Sequence, residues 1–559
     1  MQQLILLIVA LPFFAALIIQ VLPHRLGRRA ATVSLVVGWL VLLLAAVGLS
    51  LALEGNQAIE ARLYDDVAVL RIDPLAAVMI LVISAISLIV SHYSVRYMVE
   101  EPGYRRFFAL LSAMTGVLLL MVSAGDLLTL LVAWHLVGVL LYFLLAFDTR
   151  SKSASRYALW TWMTFRFGDL PLILAAVLLY QAFDSWSFVE IFRQLAAAPD
   201  TRTIFDLRLV DVAGGLIAVA AFARSAQFFL HTWLPYTMSG PTPVSALMHA
   251  GIVNAGGFLV NRFAPVFVET SGVMHWMFVV GLATAVIGSV LMLAQSDIKK
   301  ALGYSTMGQM GFMIMECGLG AFSLAIYHLI AHGLFKGTLF LGAGGVIHEA
   351  RKSDGVPKDP MYGFIVEKNT APSRKPWLLM AGLTLIVPAA ILLGAHWLVA
   401  QDFYQKQGAV VLLFFGWVTG AQLIFSAYRM GNAKLGRLFA QVVISFAIVI
   451  LGYSMIGHAF DTFLFPDEVF RASIYAAAEI DVLWFDLLVM VVTVIIVAGW
   501  LHTYYHERNG RRTGKIFSHL RFSLYVAISR EFYVGDIYAW LARHLERLSV
   551  RLNVWMRWV

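Results

Sequence analysis

Two stretches of this sequence place ionisable side chains inside apolar segments. In the first, Arg224 and His231 precede a proline-rich break at Pro235 and 239–243, and His249 follows about two turns into the next apolar segment. Proline removes a backbone donor, so a helix in lipid tolerates such a break only where it packs against protein or water. Ionisable groups beside a break are typical of an ion or proton route. A kinked connector with a snorkelling arginine is the alternative.

The second stretch has three titratable residues in line on one predicted helix. His328, His332 and Lys336 recur at intervals of four residues, so they lie on one helix face. At a rise of about 1.5 Å per residue they form a stripe about 12 Å long near mid-membrane. One histidine there would be explained as a packing residue, but three aligned groups predict a proton path. His348 ends this segment on the inner side, where a proton could leave, and Glu316 is expected at the outer interface.

The composition predicts a membrane protein with many spans. Of the 559 residues 60% are hydrophobic and 13% charged, and the mean hydropathy is +0.80, which excludes an ordinary soluble globule. The first apolar run lacks a basic segment before it, so we expect a retained helix and not a cleaved signal peptide. About fifteen runs are long enough to cross a bilayer: 3–22, 31–53, 74–95, 107–124, 127–147, 157–182, 211–231, 242–264, 273–294, 301–320, 322–347, 376–400, 408–428, 438–460 and 482–502.

Charge placement predicts the orientation of these spans. Arginine and lysine cluster in the odd-numbered loops, whereas the even-numbered loops are acidic, as at 54–66 and 461–481. By the positive-inside tendency the N-terminus would lie outside and the C-terminus in the cytoplasm. Topology therefore explains the net charge of +8, and no nucleic-acid partner is expected. The basic residues 508–559 predict an amphipathic helix that docks on membrane lipid or on a partner.

The sequence argues against a cofactor in this chain. The single cysteine, Cys317, allows neither an internal disulfide nor a protein-only iron–sulfur site. Neither a dinucleotide fingerprint nor a phosphate-binding loop is present. The pair His328 and His332 continues into Lys336, a cation that opposes metal binding, so no metal site is expected. We therefore predict a transporter subunit, not an enzyme, that is driven by an ion gradient or by a partner.

Further ionisable residues in the apolar segments are candidates for the same route. Arg166 and Asp169 lie three residues apart and are expected to pair, although Asp169 could instead pair with Arg224. Lys300 stands with Lys299 at a helix start, where an interfacial anchor is the alternative. The candidate ion-pathway residues are His135, Arg166, Asp169, Arg224, His231, His249, Lys300, His328, His332, Lys336 and His348.

Three motifs resemble a known superfamily of membrane subunits. SGPTPVSALMHA at 239–250, SDIKKALGYSTMGQMGF at 296–312 and HLIAHGLFKGTLFL at 328–341 resemble the large antiporter-like subunits of respiratory complex I and of multisubunit sodium/proton antiporters. The resemblance covers about residues 70 to 350 and implies an all-α polytopic fold with two inverted five-helix repeats, each with a broken helix. The implied divisions are N-terminal spans at 1–106, repeats at 107–264 and 273–428, C-terminal spans at 429–507 and a cytoplasmic amphipathic tail at 508–559.

This chain departs from the respiratory members at several positions. They usually carry a glutamate where this chain has His135 and a lysine where it has Arg224, so a carboxylate–lysine pair has become a histidine–arginine pair. Arginine stays charged in essentially any protein environment and cannot itself pass on a proton, whereas histidine titrates near neutrality. The respiratory members carry a further lysine on the twelfth span, where the nearest titratable group here is His396.

Three functions are open at this point. The altered pair and the short tail resemble the DabB-type branch, the membrane subunits of two-part inorganic carbon pumps. That branch implies a chain in the bacterial inner membrane that conducts protons or sodium ions and drives uptake of carbon dioxide or bicarbonate. Its partner would be a large cytosolic DabA-type subunit that resembles carbonic anhydrase and holds the zinc. The alternatives are a proton-translocating subunit of a respiratory NADH:quinone oxidoreductase or of a sodium/proton antiporter, and a non-conducting scaffold.

Overall fold

The computed structural model describes residues 2–23, 26–55, 58–197, 203–204, 206–237, 240–295, 297–352, 458–479, 490–491, 494 and 515–556. Most of these residues are helical. The helices are α1 (Gln2–Val21), α2 (Arg29–Leu53), α3 (Pro74–Tyr97), α4 (Tyr104–Val122), α5 (Leu127–Leu145), α6 (Lys152–Phe183), α7 (Phe188–Ala197), α8 (Leu209–Arg224), α9 (Thr242–Leu247), α10 (Ala255–Arg262), α11 (Ala264–Val268), α12 (Ser271–Leu293), α13 (Ile298–Gly318), α14 (Phe322–Lys352), α15 (Glu468–Ala477), α16 (Lys515–Ser529) and α17 (Val534–Met556).

The predicted class of an all-α polytopic membrane protein is confirmed. In the part of the chain that the structure describes, nine helical segments are long and apolar enough to cross a membrane. Ten of the first eleven predicted spans agree with observed helices to within a few residues. His396 lies outside the described residues, as do nearly all of the last four predicted spans and about half of the predicted second repeat.

The seventh predicted span was wrong at its end. The prediction extended it to residue 231, but α8 ends at Arg224 and His231 lies beyond it in irregular chain. Ala226 and Phe229 have positive φ angles of 48° and 71°, a conformation that cannot continue a right-handed helix. The indole nitrogen of Trp233 donates to the carbonyl of Ala223 at 3.2 Å, which satisfies one of the backbone groups released at the helix end.

A β-hairpin that the sequence analysis did not predict joins α2 to α3. Strand β1 (Ile59–Tyr64) pairs antiparallel with strand β2 (Val67–Ile72). The side chain of Asp126 accepts from the backbone of Val69 at 2.8 Å and caps α5 through the backbone of Thr129 at 2.8 Å. One carboxylate therefore fixes both the hairpin and the start of α5, the helix that carries His135.

Asp73 at the start of α3 connects the same region to the far end of the broken helix. Its side chain accepts from the backbone of Ala76 at 2.9 Å and binds the Arg262 guanidinium at the end of α10. Burial acts to raise the pKa of Asp73, but the charge and hydrogen bond of Arg262, with the Ala76 amide and Arg71, outweigh it and lower the pKa below its ordinary value. Asp73 therefore caps α3 and also pairs with the end of α10 through Arg262.

Close helix packing brings α14, which carries His328, His332 and Lys336, against the broken helix. A Cβ atom at Gly281 of α12, or at Gly311 or Gly318 of α13, would collide with the backbone of the facing helix. Small residues of this kind allow close approach of helix backbones in membranes. A Cβ atom at Gly333 of α14 would likewise collide with the carbonyl of Ala250 in the broken helix. Helix α14 therefore lies directly against the segment that contains His249.

Candidate functional site

The helix break lies between α8 and α9, and its described residues, 225–237 and 240–241, are irregular. The helix resumes at Thr242, where it was predicted to start, and a π-helical turn (Met248–Ile252) interrupts it again before α10. Polar side chains satisfy released backbone groups: Ser225 donates to the carbonyl of Val253 at 2.7 Å, and Asn254 donates to that of Ala250 at 2.9 Å. A break in lipid requires such compensation, so protein packing around this segment makes it tolerable.

The first group of candidate residues, which we call the arginine cluster, consists of His135, Arg166, Asp169 and Arg224. Both expected pairings of Asp169 are present: Oδ2 lies 2.8 Å from Arg166 Nη2, and Oδ1 accepts from Arg224 Nη2 at 3.5 Å. Arg166 and Asp169 form an ion pair, but their atoms are not oriented for a hydrogen bond. His135 Nδ1 lies 3.3 Å from Asp169 Oδ2, and Arg166 Nη1 lies 3.0 Å from His135 Nε2. Asp169 thus lies at the centre and connects His135 to Arg224.

The four side chains of the arginine cluster differ in exposure. Arg224 is 1% exposed and Asp169 6%, whereas 48% of the His135 side chain is exposed. Arg224 donates to the carbonyl of Trp134 at 2.8 Å, and its guanidinium carbon lies 4.3 Å and 4.1 Å from the ring centres of Trp134 and Phe165. Aromatic faces stabilise a buried guanidinium. The cluster holds two positive charges around one negative charge at the end of α8.

The second group, which we call the histidine–lysine cluster, consists of His249, Glu316, His328, His332 and Lys336. Lys336 is 2% exposed, and its ammonium donates to the hydroxyl of Ser305 on α13 at 2.7 Å. Its charge lies close enough to interact electrostatically with His249 and His332. The three stripe residues therefore share one face as predicted, and the π-helical turn of the broken helix places His249 against that face.

Glu316 lies near the end of α13, as the sequence predicted, but protein encloses its side chain. The side chain is fully buried, and His328 Nδ1 lies 3.2 Å from Glu316 Oε2. His328 Nε2 lies 2.9 Å from the side-chain oxygen of Gln309, also on α13. The sequence could not predict this burial, because the packing of α13 against α14, and not the distance of Glu316 from the end of its own helix, sets its environment. A buried carboxylate in a membrane protein is a functional candidate in its own right.

Three buried histidines have unusual surroundings. Among the described protein atoms, neither ring nitrogen of His231, His249 or His332 has a hydrogen-bond partner. The rings instead make apolar or stacking contacts: His249 stacks on Phe340 at 4.2 Å, and His231 stacks on Phe228 at 5.5 Å. Buried polar groups are normally paired. Buried histidines of this kind in a membrane protein are candidates for proton transfer.

The remaining predicted residues lie apart from the two clusters. Lys300 is in the first turn of α13, and its ammonium lies 5.0 Å from the ring centre of Tyr236 in the break. His231 lies within the break itself. The side chain of His348 falls outside the described part of the structure. In the described residues, no three His, Cys, Asp or Glu side chains are placed to hold a metal ion together.

The histidine–lysine cluster has the chemistry of a proton relay. The ring centres of His328 and His332 are 6.3 Å apart, a spacing that one water molecule can bridge. Imidazole can take up a proton on one nitrogen and release one from the other, and a buried lysine exchanges its proton more readily than an arginine does. Arg166 and Arg224 in the arginine cluster cannot take up and release protons in this way, because they keep their charge. The two clusters therefore differ in chemistry although both adjoin the broken helix.

Comparisons with known sequences match most of the chain. The family profile described as "NADH:quinone oxidoreductase/Mrp antiporter, TM" matches residues 124–421, and that of the "NADH-Ubiquinone oxidoreductase (complex I), chain 5 N-terminus" matches residues 67–108. A protein of Halothiobacillus neapolitanus named "Probable inorganic carbon transporter subunit DabB1" is 56% identical over 554 residues, 99% of both chains. Subunit 5 of the chloroplastic NAD(P)H-quinone oxidoreductase of Piper cenocladum is 37% identical over 318 residues, 57% of this chain and 41% of that protein.

Two solved structures share the fold. A chain of the Mrp complex from Dietzia sp. DQ12-45-1b superposes with a TM-score of 0.56 at 23% identity and covers 98% of this chain and 63% of that one. A chain of the membrane-bound sulfane sulfur reductase, an archaeal respiratory membrane complex, superposes with a TM-score of 0.55 at 18% identity, covering 95% and 98%. At these identities the likeness concerns the fold.

Proposed function

The chain belongs to the NADH:quinone oxidoreductase/Mrp antiporter family, and from this premise we propose that it is the ion-conducting membrane subunit of an inorganic carbon pump. The observation that carries the proposal is the extent of the likeness. Similarity to the H. neapolitanus carbon transporter subunit spans 99% of both chains, whereas the chloroplast oxidoreductase subunit matches 57% of this chain. The likeness to the carbon transporter subunit therefore extends over nearly the whole length of both chains.

The histidine–lysine cluster supports protons as the conducted ion. Lys336 and His332 on α14, with His249 from the π-helical turn, lead to the buried pair of His328 and Glu316. Each is a group that can hold a proton, and each is buried or nearly so. A sodium ion requires several oxygen ligands around one point, in contrast to this line of nitrogens. Proton entry at one end and release at the other would couple the gradient to uptake.

The chemistry of carbon hydration would belong to a partner. We expect a large cytosolic zinc subunit that resembles carbonic anhydrase and converts carbon dioxide to bicarbonate, while this chain supplies proton flow in the inner membrane with its N-terminus outside. In support, the H. neapolitanus relative is named as a subunit, and the proteins that share the fold belong to multisubunit complexes. No cofactor is assigned to this chain.

Purification of the tagged protein at its native level tests the partner and the function together. We expect a soluble zinc-containing protein to co-purify, and deletion of this chain to abolish growth at limiting inorganic carbon while growth at high carbon dioxide continues. Co-purification of respiratory subunits, or an active transporter of one chain alone, would contradict the proposal. The 37% identity to the chloroplast oxidoreductase subunit favours a respiratory complex as the second candidate.

A further inference from the structure

The C-terminal residues fold back onto the helix break of the same chain. The hydroxyl of Tyr538 in α17 donates to the carbonyl of Phe229 in the break at 2.5 Å. The ring of Tyr538 also meets that of Trp160 on α6 edge to face at 5.4 Å, and Trp160 donates to the hydroxyl of Thr232 in the break at 3.2 Å. The tail therefore does more than lie at a membrane surface: it contacts the segment that carries His231.

Glu531 is the centre of this contact. Its side chain is buried, with 6% of the residue exposed, and Oε1 accepts hydrogen bonds from the hydroxyls of Tyr236, at 2.7 Å, and Tyr304. Tyr236 belongs to the break, whereas Tyr304 belongs to α13. One carboxylate thus links the break to the helix that also holds Ser305, the partner of Lys336.

The backbone around Glu531 is held in a rare conformation. Glu531, Phe532 and Tyr533 have φ angles of 54°, 54° and 61°, all in the left-handed region that residues with a side chain seldom adopt. Such a turn persists only where surrounding contacts determine it. Those contacts include the two tyrosine hydroxyls on Glu531 and the edge-on packing of Phe532 against Phe228 at 6.4 Å between ring centres. A tail that only covered lipid would not require this turn.

We propose that Glu531 is a positioning residue of the ion route, which fixes the break and the His231 ring within it. The break is attached to the tail on both sides of His231, at Phe229 through Tyr538 and at Tyr236 through Glu531. Loss of the carboxylate releases one of these two attachments and leaves the Tyr304 hydroxyl without its acceptor. The functional consequence rests on the proposed function, whereas the effect on the break does not.

Substitution at Glu531 tests the functional consequence. Two hydrogen bonds to a charged group are lost in Glu531→Ala, so we expect the maximal rate of inorganic carbon uptake to fall about tenfold with little change in half-saturating concentration. Glu531→Gln keeps an oxygen that can accept from both hydroxyls and should retain most of the rate. Asp536→Ala is the matched control, because Asp536 is a carboxylate of the same tail whose side chain is 64% exposed. Equal loss in Glu531→Gln and Glu531→Ala would overturn positioning in favour of a titrating role.

Hydrogen exchange provides a readout that is independent of transport. In the complex purified with its partners, amides of residues 226–237 should exchange faster in Glu531→Ala than in the parent or in Asp536→Ala. Unchanged exchange together with unchanged uptake would overturn the proposal. If Glu531→Ala does not accumulate in the membrane, Tyr304→Phe, which removes one of the two hydrogen bonds, should show the same changes at about threefold. A further outcome would separate the two proposals. If Glu531→Ala speeds exchange but Lys336→Ala still transports inorganic carbon, Glu531 positions the break and the proposed ion route is refuted.

Discussion

The arginine cluster and the histidine–lysine cluster adjoin the same broken helix but hold charge in different ways. In the first, Asp169 is placed between the guanidiniums of Arg166 and Arg224, and the latter is enclosed by aromatic rings. In the second, the ring nitrogens of His249 and His332 have no partner among the described protein atoms. The arginines of the first arrangement keep their charge, whereas His249 and His332 of the second can change protonation without breaking a hydrogen bond to another described side chain.

This difference assigns separate tasks to the two halves of the described chain. A fixed charge of two arginines and one aspartate can stabilise the end of α8 and set the local field, but it cannot pass on a proton. Protons would then move through the second cluster and not through the arginine cluster. Substitutions in each cluster can separate these two tasks experimentally.

The largest effect is expected for Lys336→Ala. This substitution removes the only ammonium of the histidine–lysine cluster, so proton-coupled uptake should fall by a factor of about 100 or more. The protein should still accumulate in the membrane, because a cation at mid-bilayer costs about 3 kcal/mol to hold. Uptake under limiting inorganic carbon and proton flux in vesicles are the measurements. Lys299→Ala, at the first turn of α13, is the matched control. Normal uptake by Lys336→Ala would end the proposal for the second cluster.

The next effect is expected for His332→Gln. Glutamine retains hydrogen-bonding capacity but cannot titrate, so proton flux should fall by a factor of about 10 to 100 while membrane levels stay normal. His275→Gln serves as the control, because His275 is only partly buried, on α12, and its Nε2 lies 2.8 Å from the carbonyl oxygen of Glu479. If His332→Gln conducts protons as the parent does, the free ring nitrogens have no part in the relay.

The sequence predicted the helices and one face of the site, but not the contacts between helices. Apolar run length and helical spacing depend on neighbouring residues only, so the bounds of most spans and the alignment of His328, His332 and Lys336 could be predicted. The role of Glu316 depends on which helix packs against α13, and the partners of Glu531 lie more than 200 positions away. Such contacts require the tertiary structure.

The predicted facing of His135 and Arg224 shows the same limit. The two residues do belong to one cluster, yet Asp169 lies between them and binds both. The comparison of motifs aligned His135 and Arg224 with the glutamate and lysine of relatives. It could not show that Asp169 of α6 lies between them. The end of α8 was likewise missed, because positive φ angles at Ala226 and Phe229 stop the helix within a run that remains apolar in sequence.

A pair of acid-to-amide substitutions compares the clusters directly. Asp169→Asn leaves two buried or partly buried guanidiniums without their carboxylate, which should destabilise the protein by about 3 to 5 kcal/mol and lower its membrane level. Glu316→Gln leaves only a neutral hydrogen bond to His328, so the protein level should remain near normal while proton flux falls several-fold. Immunoblots of membranes and vesicle flux assays measure the two effects. A lower membrane level of Glu316→Gln, together with lower proton flux at a normal membrane level of Asp169→Asn, would contradict the tasks assigned to the two clusters.

The smallest effects are expected for substitutions of His135 and Arg224, which stand where the respiratory members carry glutamate and lysine. His135→Glu places a second carboxylate beside Asp169 and Arg166, which should lock the cluster into ion pairs. Arg224→Lys loses the contacts of the planar guanidinium with Trp134 and Phe165, and it replaces a permanent positive charge with one that can titrate. Because His135 is half exposed and neither residue lies in the second cluster, we expect each single change to lower uptake only a few-fold.

The double variant is more informative than either single one. His135→Glu with Arg224→Lys restores the relatives' carboxylate–lysine combination, and lysine can release its proton where arginine cannot. We therefore expect proton flux in vesicles to recover relative to the single variants, while growth at limiting inorganic carbon stays impaired because coupling to the partner is not restored. Glu190→Gln, on the partly exposed face of α7 where Glu190 pairs with Arg193, controls for loss of a charge outside both clusters. If both single variants grow and conduct as the parent does, His135 and Arg224 serve packing alone, and the field assigned to the first cluster has no part in transport.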